Sequence, residues 1–298
     1  VWVVTNKKYA ALVHEQLPEI PEGNILQEPC RRNTAPCVAY ISWRIKEKDA
    51  RANIVVTPSD HIVTNCNEFR RVITSALKFT GETDSIVTLG MKPTRPETGY
   101  GYIQGDLSTP SARNREIFRV DQFKEKPNLA TAEKYVKDHN FFWNAGIFIM
   151  SAATIVNAFR VYQPGIAKIF ESMRSIYGTE KEQEQIDLRY PECENISIDY
   201  AIMEKAEEIF VFPADFGWSD LGTWGSLLAQ SKKDANGNAT IGNNIQMIDS
   251  KNNIVHTLNE KKVVIQGLEG YIIAEENGTL LICKMSEEQN IKFFSGTN

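Results

Sequence analysis

Two aspartates, far apart in the chain, each follow an apolar run. Asp60 stands in Pro58-Ser-Asp-His61 after Asn53-Ile-Val-Val-Thr57, and Asp220 stands in Gly217-Trp-Ser-Asp-Leu-Gly222 after Ile209–Phe212. A carboxylate at the end of a buried strand can hold a hard divalent cation such as Mg2+, which takes one or two carboxylates and fills its remaining positions with phosphate oxygens and water. Asp60 can equally cap its own turn, and the Gly-rich stretch around Asp220 can be an ordinary turn. Three further segments carry groups suited to a sugar. Glu97-Thr-Gly-Tyr-Gly-Tyr102 sets Gly99 and Gly101 around Tyr100, so backbone and ring can come close to a ligand. In Phe123-Lys-Glu-Lys-Pro127, Glu125 can accept hydroxyls while Lys126 meets a phosphate. In Trp143-Asn-Ala-Gly146, Asn144 can donate and accept at once, which suits vicinal hydroxyls. Each also has a plainer reading, as a bulge, a solvated charge run or a turn. Neither GxGxxG nor GK[ST] occurs, so no phosphate loop of those kinds is present.

These segments need a scaffold, and the first half of the sequence supplies an alternating one. Apolar runs at Val1–Thr5, Asn24–Gln27, Asn53–Thr57 and Ser85–Leu89 read as strands. Between them, Lys7–Leu17, the stretch after Asn33-Thr34 with Pro36 in its first turn, and the stretch holding Phe69, Val72, Ile73, Ala76 and Leu77 read as amphipathic helices. This order predicts an α/β domain with a mostly parallel mixed sheet, in which ligands bind at the carboxyl ends of the strands. Farther on, Arg119–Phe123, Ile147–Met150 and Ile209–Phe212 read as strands, and Leu129–Asp138 and Thr154–Tyr162 as helices capped by Asn128 and Ser151. After about residue 235 the pattern changes to short strands at Ile245–Ile248, Ile254–Thr257, Val263–Gln266, Tyr271–Ala274 and Leu280–Cys283. Turns such as Leu258-Asn-Glu-Lys261 separate them. The expectation is an α/β domain over 1–235 and a small all-β domain over 236–298, with hairpin-scale spacing and no solenoid repeat.

Composition narrows the class. The 298 residues are 42% hydrophobic and 24% charged, which suits a globular protein and not a disordered one. With 33 Lys+Arg against 38 Asp+Glu the net charge is −5, so a nucleic-acid footprint is not expected. Cys30, Cys37, Cys66, Cys193 and Cys283 are scattered and form no CxxC, as in a cytoplasmic protein with reduced thiols. No apolar run has the length of a membrane helix, and no partner membrane is expected.

Taken in order, several segments resemble the sugar-1-phosphate nucleotidyltransferases, in the branch of the mannose-1-phosphate guanylyltransferases. They are Glu28-Pro-Cys-Arg-Arg-Asn-Thr-Ala-Pro36, Pro58-Ser-Asp-His61, Arg95-Pro-Glu-Thr-Gly-Tyr-Gly-Tyr-Ile103, Phe123-Lys-Glu-Lys-Pro127, Phe142-Trp-Asn-Ala-Gly146, Ser197-Ile-Asp-Tyr-Ala201 with Glu204-Lys205, and Gly217-Trp-Ser-Asp-Leu-Gly222. The resemblance covers about residues 1–235. It implies a Rossmann-like fold and synthesis of GDP-mannose and pyrophosphate from GTP and mannose 1-phosphate. It further implies that Mg2+ is held by Asp60 and Asp220, which with Lys126 are the catalytic set. Glu28, Arg32, Asn33, Thr34, Ala35 and Ser59 are the implied nucleotide contacts. Gly99, Tyr100, Glu125, Lys126 and Asn144 are the implied sugar contacts. Ser197, Asp199 and Tyr200 are left between the sugar pocket and the face of an expected homodimer. Pro58-Ser59 and Asn144-Ala145 depart from the usual Pro-Ala and Asn-Ser. The family pattern opens with a Gly-rich, Arg-bearing loop and a Pro-Lys-Gln segment. This sequence opens after both, so the chain alone is expected to turn over poorly. No cupin-like isomerase domain follows its β module. The alternatives are a sister enzyme with another sugar phosphate or nucleotide, and a non-catalytic sugar-nucleotide-binding subunit.

Overall fold

In the computed structural model, which describes residues 1–257 and 261–294, the apolar runs become strands and the amphipathic stretches helices. Along the chain come β1 (Val3–Asn6), α1 (Ala10–Gln16), β2 (Ile25–Glu28), α2 (Thr34–Lys48), β3 (Asn53–Val56), β4 (Ile62–Val63), α3 (Cys66–Gly81) and β5 (Ile86–Met91). There follow β6 (Tyr102–Pro110), β7 (Phe118–Lys124), α4 (Leu129–Lys137), β8 (Phe141–Ser151), α5 (Ala152–Tyr162), α6 (Pro164–Glu171), α7 (Glu182–Arg189) and β9 (Ile209–Ala214). The helix starts are set locally. The side chains of Asn65, Asn128 and Ser151 accept from the backbone N–H groups of Glu68, Thr131 and Thr154, each satisfying a donor that has no partner inside its helix.

Two compact units result. One comprises Val1–Pro58 with Asn65–Phe216; the other begins at Gly217 and takes in Ser59–Thr64. The division therefore falls before residue 235, because the short strand β10 (Trp218–Ser219) pairs antiparallel with β4. Gly217 makes that approach feasible: its φ is +65°, and a Cβ there would run into Thr64 Oγ1.

The first unit is built on a six-stranded sheet of order β3-β8-β5-β9-β7-β6, with β8 also pairing with β6. The sheet is mixed, as expected, but its parallel pairing is confined to β5 and β9. The reason is β8, an 11-residue strand that lies antiparallel to β3, β5 and β6. The run Ile147–Met150 announced only its second half. Trp43 of α2 packs against Phe159 of α5 and Phe170 of α6, with ring centroids 5.9 and 6.1 Å apart. Truncating such a buried ring typically costs about 3–5 kcal/mol. Phe79 of α3 meets Phe210 of β9 at 5.3 Å.

In the second unit, α8 (Trp224–Gln230) precedes β11 (Ala239–Ile241), β12 (Ile245–Ile248), β13 (Ile254–Thr257), β14 (Val263–Gln266), β15 (Tyr271–Glu276) and β16 (Thr279–Lys284). The strands lie close to where their residue pattern puts them, but their partners differ from the hairpins expected. β11, β13 and β15 stack in parallel, aligning Ala239, Ile254 and Ile272, and β12 lies parallel to β14. Among the described residues of β11–β16, β16 alone folds back antiparallel, onto β15. The chain thus coils in rungs, with Val255, Ile265 and Ile273 in one buried cluster. Asn253 ties successive turns together: its Nδ2 donates to Asn238 Oδ1 and to Leu268 O, both at 2.9 Å, and its Oδ1 accepts from Tyr271 N at 2.8 Å. Of the turn expected at Leu258-Asn-Glu-Lys261, all but Lys261 falls outside the described residues.

Candidate active site

In the first unit the structure gathers Glu125, Lys126 and Asn144 around Gly101. Asn144 lies within β8, at a register shift between β5 and β8. Its Oδ1 accepts from Thr88 Oγ1 at 3.2 Å and from Gly146 N at 3.1 Å, and its Nδ2 donates to Asp199 Oδ1 at 2.9 Å. Glu125 follows β7, and its backbone N–H donates to Glu204 Oε1 at 3.2 Å. Its Oε1 lies 3.4 Å from Lys126 Nζ, while its Oε2 is buried without a hydrogen-bond partner. A Cβ on Gly101 would strike Glu125 Oε2 and lie 3.3 Å from Asn144 Cβ and 3.6 Å from Asn144 Nδ2. Gly101 therefore packs directly against an unpartnered acceptor and an amide, the pair of groups that suits a hydroxyl.

Electrostatics there is set by burial. Removal from water, with the Asp199 carboxylate adding repulsion, pushes the Glu125 carboxyl up to about 7. Burial raises Asp199 in the same direction, against the hydrogen bond from Asn144 and the charge of Lys126. Lys126 has φ of +45°, a left-handed backbone uncommon outside glycine, as is often found at ligand sites.

The neighbouring Gly99 and Tyr100 are both tied into the protein. Gly99 N donates to Glu97 Oε1 at 3.1 Å, and the buried Glu97 pairs with Arg95. The Tyr100 ring is buried and stands perpendicular to that of Trp143, centroids 5.2 Å apart.

The implied nucleotide segment sits at the start of α2. Asn33 caps the helix through Oδ1 to Thr34 N and has φ of +64°. Ala35 N donates to Ile196 O at 3.1 Å, and Thr34 Oγ1 accepts from Ile198 N at 2.8 Å. Arg32 Nη2 donates to Pro191 O. Glu28 is turned inward: its Oε2 accepts from Tyr190 Oη at 2.7 Å and from Cys37 Sγ at 3.2 Å. Its carboxylate thus anchors the segment from within.

Ser59, Asp60 and Asp220 belong to the second unit. In the β4·β10 ladder Ile62 faces Ser219, so Asp60 and Asp220 lie just beyond the same end of that pair. The Asp60 side chain is 83% exposed, and Ser59 is exposed too. Asp220 Oδ1 accepts from Gly222 N at 3.0 Å. His61 Nδ1 accepts from Trp218 Nε1 at 3.1 Å, which leaves Nε2 facing Asp60 at 3.7 Å. Among the described residues no group of three or more His, Cys, Asp or Glu could hold a metal ion. The carboxylate oxygens of Asp60 and Asp220 nevertheless suit a hard cation that takes its other ligands from phosphate and water.

Sequence reasoning named Gly101 as a glycine of close approach and Glu204 within a segment of the resemblance, but gave neither a place in the site. It missed Thr88, which nothing local marks.

The fold and the polar groups around Gly101 set the frame in which the comparisons with known proteins supply the family. The chain belongs to the nucleotidyl transferase family, whose model matches residues 1–237. It is 34% identical over 295 residues to a mannose-1-phosphate guanylyltransferase of Escherichia coli, covering 97% of this chain and 63% of that protein. It is 33% identical over 295 residues to the alginate biosynthesis protein AlgA of Pseudomonas fluorescens, covering 97% and 60%. The chain thus spans less than two thirds of the length of these relatives. A solved structure described as mannose-1-phosphate geranyltransferase from Thermus thermophilus superposes with a TM-score of 0.82 at 27% identity, over 98% of this chain and 82% of its own.

Proposed function

We propose that the chain carries the nucleotidyl-transfer machinery of a mannose-1-phosphate guanylyltransferase. A phosphate oxygen of α-mannose 1-phosphate attacks the α-phosphorus of GTP in line. The bond from that phosphorus to the bridging oxygen breaks, and pyrophosphate leaves with the electron pair, giving GDP-mannose. Little covalent work falls to the protein, and its task is to position two anions and offset their charge.

The observation that carries this reading is the cradle beside Gly101. Glu125 Oε2 accepts from one sugar hydroxyl, Asn144 donates to a neighbouring one, and Lys126 draws in the sugar phosphate. The start of α2, with Asn33, Thr34 and Ala35, supports the base, and Arg32 and Glu28 hold that segment in shape. Asp60 and Asp220 would hold Mg2+, which when bound lowers the negative charge on the phosphates. The 34–35% identity to proteins named mannose-1-phosphate guanylyltransferase supports the choice of sugar and nucleotide.

The test is to supply the full-length protein with mannose, glucose or fucose 1-phosphate, each with GTP, ATP, UTP or dTTP. A clear preference for mannose 1-phosphate with GTP is expected, since a site built around polar groups rejects a base that leaves them unpaired. Preference for UTP or dTTP would move the chain to a sister enzyme, and nucleotide-sugar binding with no turnover of any pair would make it a binding subunit.

A further inference from the structure

Asn144 and Glu125 come from different strands, yet both are held from one short piece of chain. Asp199–Met203 forms a single π turn, closed by Glu204 N–H donating to Asp199 O at 2.9 Å. Such turns are rare and concentrate at functional sites. At its start, Asp199 Oδ1 accepts from Asn144 Nδ2 at 2.9 Å. At its end, Glu204 Oε1 accepts from the Glu125 backbone N–H at 3.2 Å. The turn is itself fixed: Ala201, Ile202 and Met203 are buried in the core, and Ile198 N donates to Thr34 Oγ1. An ordinary α turn would bring residue 203, not 204, to the closing position and would break one of the two contacts.

The consequence for Asn144 can be counted. Its carbonyl oxygen already takes two donors, Thr88 Oγ1 and Gly146 N. One amide proton goes to Asp199. The amide therefore cannot flip without losing three bonds, and it has a single N–H left to offer.

We propose that the π turn Asp199–Glu204 is the positioning element of the sugar pocket, with Asp199 fixing Asn144 as a pure donor and Glu204 fixing the backbone of the acceptor Glu125. The inference rests on the reading that Glu125 and Asn144 meet the sugar. It assigns the pocket a polarity: one hydroxyl oxygen must accept from Asn144 while a neighbouring hydroxyl donates to Glu125. Asp199 itself touches no substrate.

The test uses Asp199→Ala, Asp199→Asn and Gly101→Ala in the full-length protein. Each variant is measured for KM toward sugar phosphate and nucleotide, for thermal midpoint, and for the pH profile of the sugar-phosphate KM. Asp199→Ala removes an acceptor and frees the amide, and is expected to raise the sugar-phosphate KM ~10-fold with the GTP KM unchanged. Asp199→Asn keeps an oxygen for Asn144 and is expected to restore KM to within ~3-fold of the original. It also removes a negative neighbour of Glu125, whose other close charges are Lys126 and Glu204, so the pH midpoint should move down. A merely structural Asp199 would move both KM values together and leave the pH profile in place. That result, or equal damage from the Ala and Asn changes, overturns the proposal. Gly101→Ala separates the two levels: if filling the cradle leaves the sugar-phosphate KM unchanged, the pocket reading itself fails. If it raises KM while Asp199→Ala does not, only the positioning role fails.

Discussion

Replacing Glu125 by Gln should make the protein more stable and less competent. The carboxyl is almost wholly buried, with its pKa raised from the ordinary 4.5 to about 7. An acid with a raised folded pKa loses its proton first in the unfolded chain. Stability therefore falls as pH rises from about 4.5 to about 7, and the full penalty persists above that. A shift of this size corresponds to a ceiling of ~3 kcal/mol at ~1.4 kcal/mol per pKa unit, and relaxation around the site reduces it, so ~1–3 kcal/mol is expected. Gln carries no charge and escapes the penalty. At pH 8 the variant should melt a few degrees higher, at roughly 2 °C per kcal/mol for a chain of this size. At pH 4.5 the two proteins should melt together. The sugar-phosphate KM should rise ~10-fold in the variant, because a charged acceptor is replaced by a neutral one. In the unchanged protein, sugar-phosphate affinity should improve through pH 7 as Glu125 ionises. Thermal unfolding at both pH values and steady-state kinetics at pH 8 suffice as assays. A Gln variant that is less stable at pH 8, or equally stabilised at both pH values, would refute the argument from burial.

Two further outcomes follow from the second unit. Asp60→Asn and Asp220→Asn should each lower turnover by ~10²-fold and raise the Mg2+ requirement, with the double change little worse than the worse single one, because groups acting as a unit are non-additive. Losses that multiply, with an unchanged Mg2+ requirement in both single variants, would return Asp60 to the role of a turn cap. Gly217→Ala forces a Cβ against Thr64 at a φ of +65° and should cost ~1–3 kcal/mol, read as a lower thermal midpoint. An unchanged midpoint would show that the β4·β10 approach is not constrained as described.

Much of the scaffold was legible because it is local. Asn33, Asn128 and Ser151 mark helix starts by a side-chain oxygen that reaches a nearby backbone N–H, and all three do so in the structure. The wholly buried β5 showed as a short apolar run. What escaped depends on contacts distant in sequence. Asn144 read as a residue suited to sugar hydroxyls or to a turn before a strand, but its place inside β8, where Gly101, Thr88 and Asp199 satisfy its backbone and amide, was not legible. The resemblance set Glu28 among the nucleotide contacts, and nothing local told of Tyr190 and Cys37 closing over it. β11 gave no signal, and β13 and β15 showed only hairpin-scale spacing, since alternation shows which face is buried but not which strand is the partner. The π turn at Asp199 has no sequence signature, and Asp199 was accordingly left between two roles.

The central claim is transfer of a guanylyl group to a sugar phosphate, and radiolabel tests it most directly. The full-length protein is given mannose 1-phosphate, Mg2+ and GTP labelled at either the α or the γ phosphate. The α label is expected in GDP-mannose and the γ label in pyrophosphate, in equal amounts. Release of the γ label as inorganic phosphate, or failure of the α label to enter a sugar nucleotide, would contradict it.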